Sequence, residues 1–110
     1  MGSQIVRVDA IRVKAAGSIN GTYSTLGSAF AHPMRLICIT NTTDALLTFS
    51  FDTINDNLIV PSNGFKLFDL ATNRNDPDTN FFFIINTQVY VKGSPSTGSV
   101  YLETIYGQGE

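Results

Sequence analysis

The residues most able to do chemistry in this 110-residue chain are oxygen-bearing side chains gathered in two polar loops. Asn73, Asn75, Asp76, Asp78 and Asn80 form one set, and Asp52, Asn55, Asp56 and Asn57 a second, shorter one. Several hard oxygen ligands in one loop are what calcium takes. Neither set has the central Gly and terminal Glu of an EF-hand loop. Asn and Asp also build turns by hydrogen-bonding nearby backbone, and that plainer use is favoured here. No cofactor is expected, with calcium in the loop from Asn73 to Asn80 as the one alternative.

The remaining reactive side chains stand alone. His32 is the single histidine, with no second His, Cys or carboxylate at ligand spacing, so it reads as a rim residue. Cys38 is the single cysteine and lies in the apolar run LICIT, where a buried small hydrophobe is expected rather than a nucleophile. Glu103 and Asp69 are the acids inside strand-like segments, and nothing in their spacing pairs them for acid–base work. No phosphate-cradling glycine loop and no nucleophile elbow is present. The chain reads as non-enzymatic. Tyr90, Tyr101 and Tyr106 could line a sugar-binding face, or equally a subunit interface.

Charge narrows the partners. The formal net charge is −2, and the seven Lys and Arg are scattered, which argues against nucleic acid. Arg7, Arg12 and Lys14 share one segment, interrupted by Asp9, that reads as a solvated edge strand. No apolar run approaches a membrane span, and the start MGSQIVRV lacks a secretory pattern, so synthesis in a cytoplasm is expected. Only 15% of residues are charged against roughly 25% in typical soluble domains, which suggests a surface held against other protein.

The elements that position these residues are short strands. At this length one domain is expected, and the 43% hydrophobic fraction with eight Phe supplies its core. Residues 5–15 are rich in β-branched side chains and read as a strand, with a helix over VDAIRVKAA as the alternative, and residues 1–15 could be an exchanged or peripheral strand. Residues 22–31 are weakly patterned, with Tyr23, Leu26 and Phe30 as anchors. Residues 35–42 read as a central strand, Asn41 to Asp44 as a turn, and residues 46–52 as the hairpin partner carrying Leu47, Phe49 and Phe51 inward. Leu58, Ile59 and Val60 begin another strand, Asn63-Gly64 signals a tight turn, and residues 65–70 alternate after it. FFFII at 81–85 reads as a strand buried on both sides or at an interface. Residues 88–93 and 99–107 supply the last strands. The expectation is an all-β fold, a single antiparallel β-sandwich or barrel of about seven or eight short strands.

From Arg35 onward the motifs form a sequence of their own. Ile39, Asn41, Thr43 and Asp44 make an I-x-N-x-T-D strand-turn, Ser50, Phe51 and Asp52 an S-F-D strand end, and Val60-Pro61 a V-P strand. Tyr90 to Gly93 reads Y-V-K-G, and Gly98 to Tyr101 reads G-S-V-Y. This succession resembles small structural proteins of tailed bacteriophages. The family pattern often continues from S-F-D into a Gly, where this chain has Thr53. The resemblance implies a virion component such as a collar, head-to-tail or decoration subunit, made in the bacterial host cytoplasm, and it transfers no catalytic residues. The expected partners are further copies of the chain and other virion proteins, with neither nucleic acid nor membrane. Candidate interface residues are Ile5, Arg7, Arg12, Arg74, Asp76, Asp78, Phe81 and Phe83. A carbohydrate- or receptor-binding module of a phage fibre is the alternative, and only there would a glycan be the ligand.

Overall fold

In the computed structural model, which describes residues 4–69 and 83–109, the β-branched and aromatic runs form nine antiparallel strands in two sheets packed as a sandwich. Strands β1 (Gln4–Val8), β2 (Arg12–Ala15), β4 (Met34–Asn41), β7 (Gly64–Asp69) and β9 (Ser99–Gly109) make the larger sheet, in the order β1-β9-β4-β7 with β2 also on β9. Strands β3 (Ser24–Thr25), β5 (Leu47–Ser50), β6 (Leu58–Val60) and β8 (Tyr90–Lys92) make the smaller one, ordered β3-β8-β5-β6. One 3₁₀ turn at Ala16–Ser18 follows β2.

Period-two alternation decides the core. From the larger sheet Ile37, Ile39, Val100 and Leu102 point inward, and from the smaller one Leu47, Phe49, Val60 and Val91 meet them, all fully buried. Leu26 and Phe30 close one end of the core from the 22–31 segment, which forms only the two-residue β3 and otherwise runs as loop. Phe51 packs partly buried against the core, as the 46–52 pattern predicts.

Three expectations are corrected. Residues 5–15 do not form one strand. Val8 pairs with Ile105 and Arg12 with Leu102, so four steps along one strand oppose three along the other, a one-residue bulge held by Asp9 N–H donating to Thr104 O at 3.0 Å. A one-residue shift exchanges the faces of a strand. Strict alternation would put Val8 and Arg12 on one side; the bulge leaves Val8 outside and turns Arg12 in. Arg12 is therefore 8% exposed rather than part of a solvated edge. Cys38 sits between the inward Ile37 and Ile39 and is half-buried on the outer side of the sheet, not in the core. At 83–85 the FFFII run makes no regular strand. Phe83 forms a single bridge with Met34 and packs its ring on Phe30, Phe51 and Phe68, while Ile84 and Ile85 are exposed.

The motif turns are tied by side chains. Asn41, fully buried, donates Nδ2 to Ala45 O and Val60 O at 2.9 Å and to Pro61 O at 3.2 Å. Its Oδ1 accepts from Thr43 N–H at 2.9 Å and from Thr43 Oγ1 at 2.6 Å. Asp44 Oδ1 accepts from the N–H groups of Ser96 and Thr97 at 2.7 and 3.3 Å, which holds its carboxyl below the usual range. Gly98 lies at φ +89, where a Cβ would come within 2.3 Å of Thr42 O, so this position accepts only glycine. The N-x-T-D turn and the G-S-V-Y start thus form one joint.

Candidate functional site

The outer faces of the two sheets differ in chemistry. On the larger sheet the register lines up three outward rows. Val13, Tyr101, Thr40 and Phe65 form the first; Glu103, Cys38 and Leu67 the second; Val8, Ile105, Leu36 and Asp69 the third. Val8 is 77% exposed, Phe65 67%, Leu67 51% and Val13 49%. Leu36, Cys38, Thr40, Tyr101 and Ile105 are half-buried. Two carboxylates, Glu103 and Asp69, are the formal charges of these rows, and no cation belongs to them. An apolar sheet face of this extent is what a sandwich normally covers with another sheet.

The outer face of the smaller sheet is polar. Thr25, Tyr90 and Ser50 stand in one row and Lys92, Thr48 and Ile59 in the next. Beside it a cleft of about 530 Å³ is lined by Gly21, Thr22, Tyr23, Thr53, Ile54, Asp56 and Lys92. Asp56 Oδ1 accepts from the Tyr23 hydroxyl at 2.5 Å and from Lys92 Nζ at 3.2 Å, and Lys92 Nζ lies 4.6 Å from the Tyr23 ring centroid. The Tyr23 and Lys92 donors hold the Asp56 carboxyl below its ordinary range. The cleft can offer a ligand carboxylate oxygens, an ammonium and the exposed Ile54 side chain.

Desolvation first, then the hydrogen bond to Asp56 and the charges of Asp56 and Asp52, push the Tyr23 phenol up to about 12. A group whose folded pKa lies above its unfolded value stabilises the fold below that unfolded value. Tyr23 therefore contributes up to about pH 10, its ordinary pKa, and the contribution is lost as pH rises through 10 towards 12. An absorbance titration at the tyrosinate band should show a step near pH 12. Tyr23→Phe should remove that step; a Tyr23→Phe variant that keeps it would show the phenol assignment to be wrong.

The sequence-nominated residues scatter over the molecule. The Ile5 backbone pairs with Gln108 on β9, and Arg7, exposed, pairs with Tyr106. Arg12 is buried inside the subunit, and Phe83 is half-buried with its ring packed on Phe30, Phe51 and Phe68. Arg74, Asp76, Asp78 and Phe81, with the calcium alternative at Asn73 to Asn80, lie outside the described residues. In the shorter acidic set, Asp52 takes hydrogen bonds from the N–H groups of Ile54 and Asn55, from Asn55 Nδ2 and from Ser50 Oγ. These donors hold its carboxyl well below the carboxylate range, and its oxygens serve the turn. Among the described residues no group of three or more His, Cys, Asp or Glu side chains is placed to hold a metal ion, and no helix is long and apolar enough to cross a membrane. His32 stacks on Tyr106 with ring centroids 3.9 Å apart. Tyr90 and Tyr101 stand on opposite outer faces, and Tyr106 shares the inward side of β9 with Thr104, so the three tyrosines form no single patch.

Sequence reasoning missed the apolar outer rows. Their signal is a strand that is apolar on both faces: in FKLFDL, Phe65 and Leu67 alternate with the half-buried Phe68. A strand covered on one side only needs one such set. A scan against protein-family models finds no match for this chain, and neither do searches of curated proteins and of solved structures.

Proposed function

We propose that this protein is a non-enzymatic structural subunit of a tailed-phage virion, of collar, head-to-tail junction or capsid-decoration type, acting through protein–protein assembly. The observation that carries the reading is the apolar outer face of the larger sheet, in which Val8, Val13, Phe65 and Leu67 stand exposed in register. Support also comes from the phage-like motifs, whose Asn41, Thr43, Asp44 and Gly98 form the joint that fixes β4, β9 and the start of β7. Mass spectrometry of purified particles from the infected host tests it: the protein should be present in a fixed copy number per virion, and its absence from particles would sink the reading.

The polar cleft between Tyr23 and Asp56 favours a second reading, a carbohydrate- or receptor-binding module on a fibre. A glycan array would then return a ligand whose binding Asp56→Asn abolishes.

A further inference from the structure

The cleft beside the smaller sheet holds polar groups fixed in place with bonding capacity left over. Asp56 lies in the loop between β5 and β6, Tyr23 just before β3, and Lys92 at the end of β8. The Tyr23 hydroxyl and Lys92 Nζ both donate to the same oxygen, Asp56 Oδ1, at 2.5 and 3.2 Å. Among the described residues Asp56 Oδ2 accepts no hydrogen bond, and the exposed Thr22 hydroxyl makes none. An ammonium carries three N–H donors, and Asp56 takes one of those on Lys92. Neither end of the pair is sealed from solvent, with the Asp56 side chain 60% and the Lys92 side chain 32% exposed. An acceptor and a donor therefore stand side by side, positioned from three segments and open to a ligand. Ile54, 83% exposed, adds an apolar wall to the same cleft. Thr53, also in the lining, is held at φ +64, and backbone strain of that kind gathers at ligand clamps. The volume of about 530 Å³ falls within the roughly 300–1,000 Å³ of small-molecule sites.

The pairing decides which ligand chemistry fits. An anionic group would have to take Lys92 from Asp56, and a cationic group would have to take Asp56 from Lys92. Each gains one ion pair by giving up another. A hydroxyl gives up nothing, because it donates to Asp56 Oδ2 while accepting from Lys92 Nζ, two charge-assisted bonds at one oxygen. A second hydroxyl on the adjacent ring carbon reaches towards Thr22, and a pyranose ring has a C–H face to lay on Ile54. We infer that the cleft binds a neutral hexopyranose through adjacent hydroxyls, one of them shared between Asp56 and Lys92. The inference rests on the binding-module reading and names the ligand class of that site.

Amide chemical shifts of the full chain, titrated with the methyl pyranosides of glucose, galactose and mannose, test this. Methyl glucuronoside and glucosamine serve as charged comparators, at mildly acid pH where glucosamine is protonated and Asp56 is ionised. At least one neutral pyranoside should shift the Thr22, Ile54 and Lys92 amides saturably, with a millimolar dissociation constant. Both charged sugars should bind at least several-fold more weakly. Asp56→Asn should weaken binding at least tenfold. Ile54→Ser, at a side chain the core does not use, should weaken it several-fold while every remote amide keeps its shift. The inference is overturned if none of the three neutral sugars shifts those amides, if both variants bind as the parent does, or if a charged sugar binds more tightly than the neutral ones. The two readings fail separately. A charged array glycan that Asp56→Asn abolishes keeps the binding module and removes this ligand class. A neutral pyranoside seated in the cleft, with no array glycan bound, keeps the ligand class and removes the fibre module.

Discussion

Replacing Arg12 by Ala is expected to cost about 3 kcal/mol of stability, the order of a buried polar network broken from one side. Arg12 is an interior residue with a charged end. Its Nε donates to Ser28 O at 2.8 Å, one Nη donates to Thr104 Oγ1 at 3.3 Å, and the other donates to Asp9 Oδ2 at 3.2 Å. The guanidinium carbon lies 5.2 Å from the Phe30 ring centroid. The aliphatic stem fills the space over Gly27, where a Cβ would meet Arg12 Cγ at 2.6 Å. Truncation leaves a void beside Phe30 and strands the oxygens of Ser28 and Thr104. Arg12→Lys keeps the charge and most of the stem and should cost about half as much, because an ammonium cannot present the planar fork that reaches three segments. Asp9→Ala should cost under about 1 kcal/mol, since Asp9 is partly exposed and the pair with Arg12 is one contact among several. Urea unfolding of the three variants checks the order. An Arg12→Ala loss below that of Asp9→Ala would show that the network contributes nothing net.

The same residue shows where the sequence was legible and where it was not. The alternation from Leu47 to Phe51 identifies a strand and its buried face because one side is apolar and the other is not. Asn63-Gly64 marks its turn because Asn63 takes φ +59, which few side chains accept, and Gly64 N–H closes on Pro61 O at 3.0 Å. In residues 5–15 both faces carry apolar and charged side chains, so alternation alone gives no face, and a bulge that shifts the phase leaves no mark in composition. The sequence pattern therefore gives Arg12 no sign of burial, although its carbon stem and five donors suit an interior rich in carbonyls. Thr53 leaves no mark in composition either: the chain takes φ +64 there, a left-handed conformation that Gly adopts without cost and a β-branched residue resists. The apolar outer rows were hidden for a different reason. Composition counts Phe65 and Leu67 as core, and only the register with Thr40 and Cys38 shows that they face away from it.

Asn41→Asp should be the most destabilising near-isosteric change in the molecule, at about 4 kcal/mol near neutral pH. The two side chains have the same shape, so packing is preserved and only hydrogen-bond polarity changes. Asn41 Nδ2 is the donor that serves the carbonyls of Ala45, Val60 and Pro61. A carboxylate there presents an acceptor to three acceptors in a site with no solvent exposure. Burial and those carbonyls would raise the new carboxyl's pKa above its unfolded value, so the variant recovers stability as pH falls and the group becomes a donor. Asn41→Ala leaves the same carbonyls unpaired but adds no charge, and should cost about 3 kcal/mol regardless of pH in this range. Unfolding at pH 7 and pH 4.5 decides between them: the gap between Asp and Ala should narrow or reverse at the lower pH. A pH-independent gap would mean the aspartate escapes to solvent and the joint is not held as described. The consequence reaches the outer face, because Asn41 pairs with Gly64 at the start of β7 and Thr40 with Phe65 in the first apolar row. Loosening the joint should speed amide exchange along Gly64–Asp69 before it does so in β9, which β1 and β2 still hold from the other side.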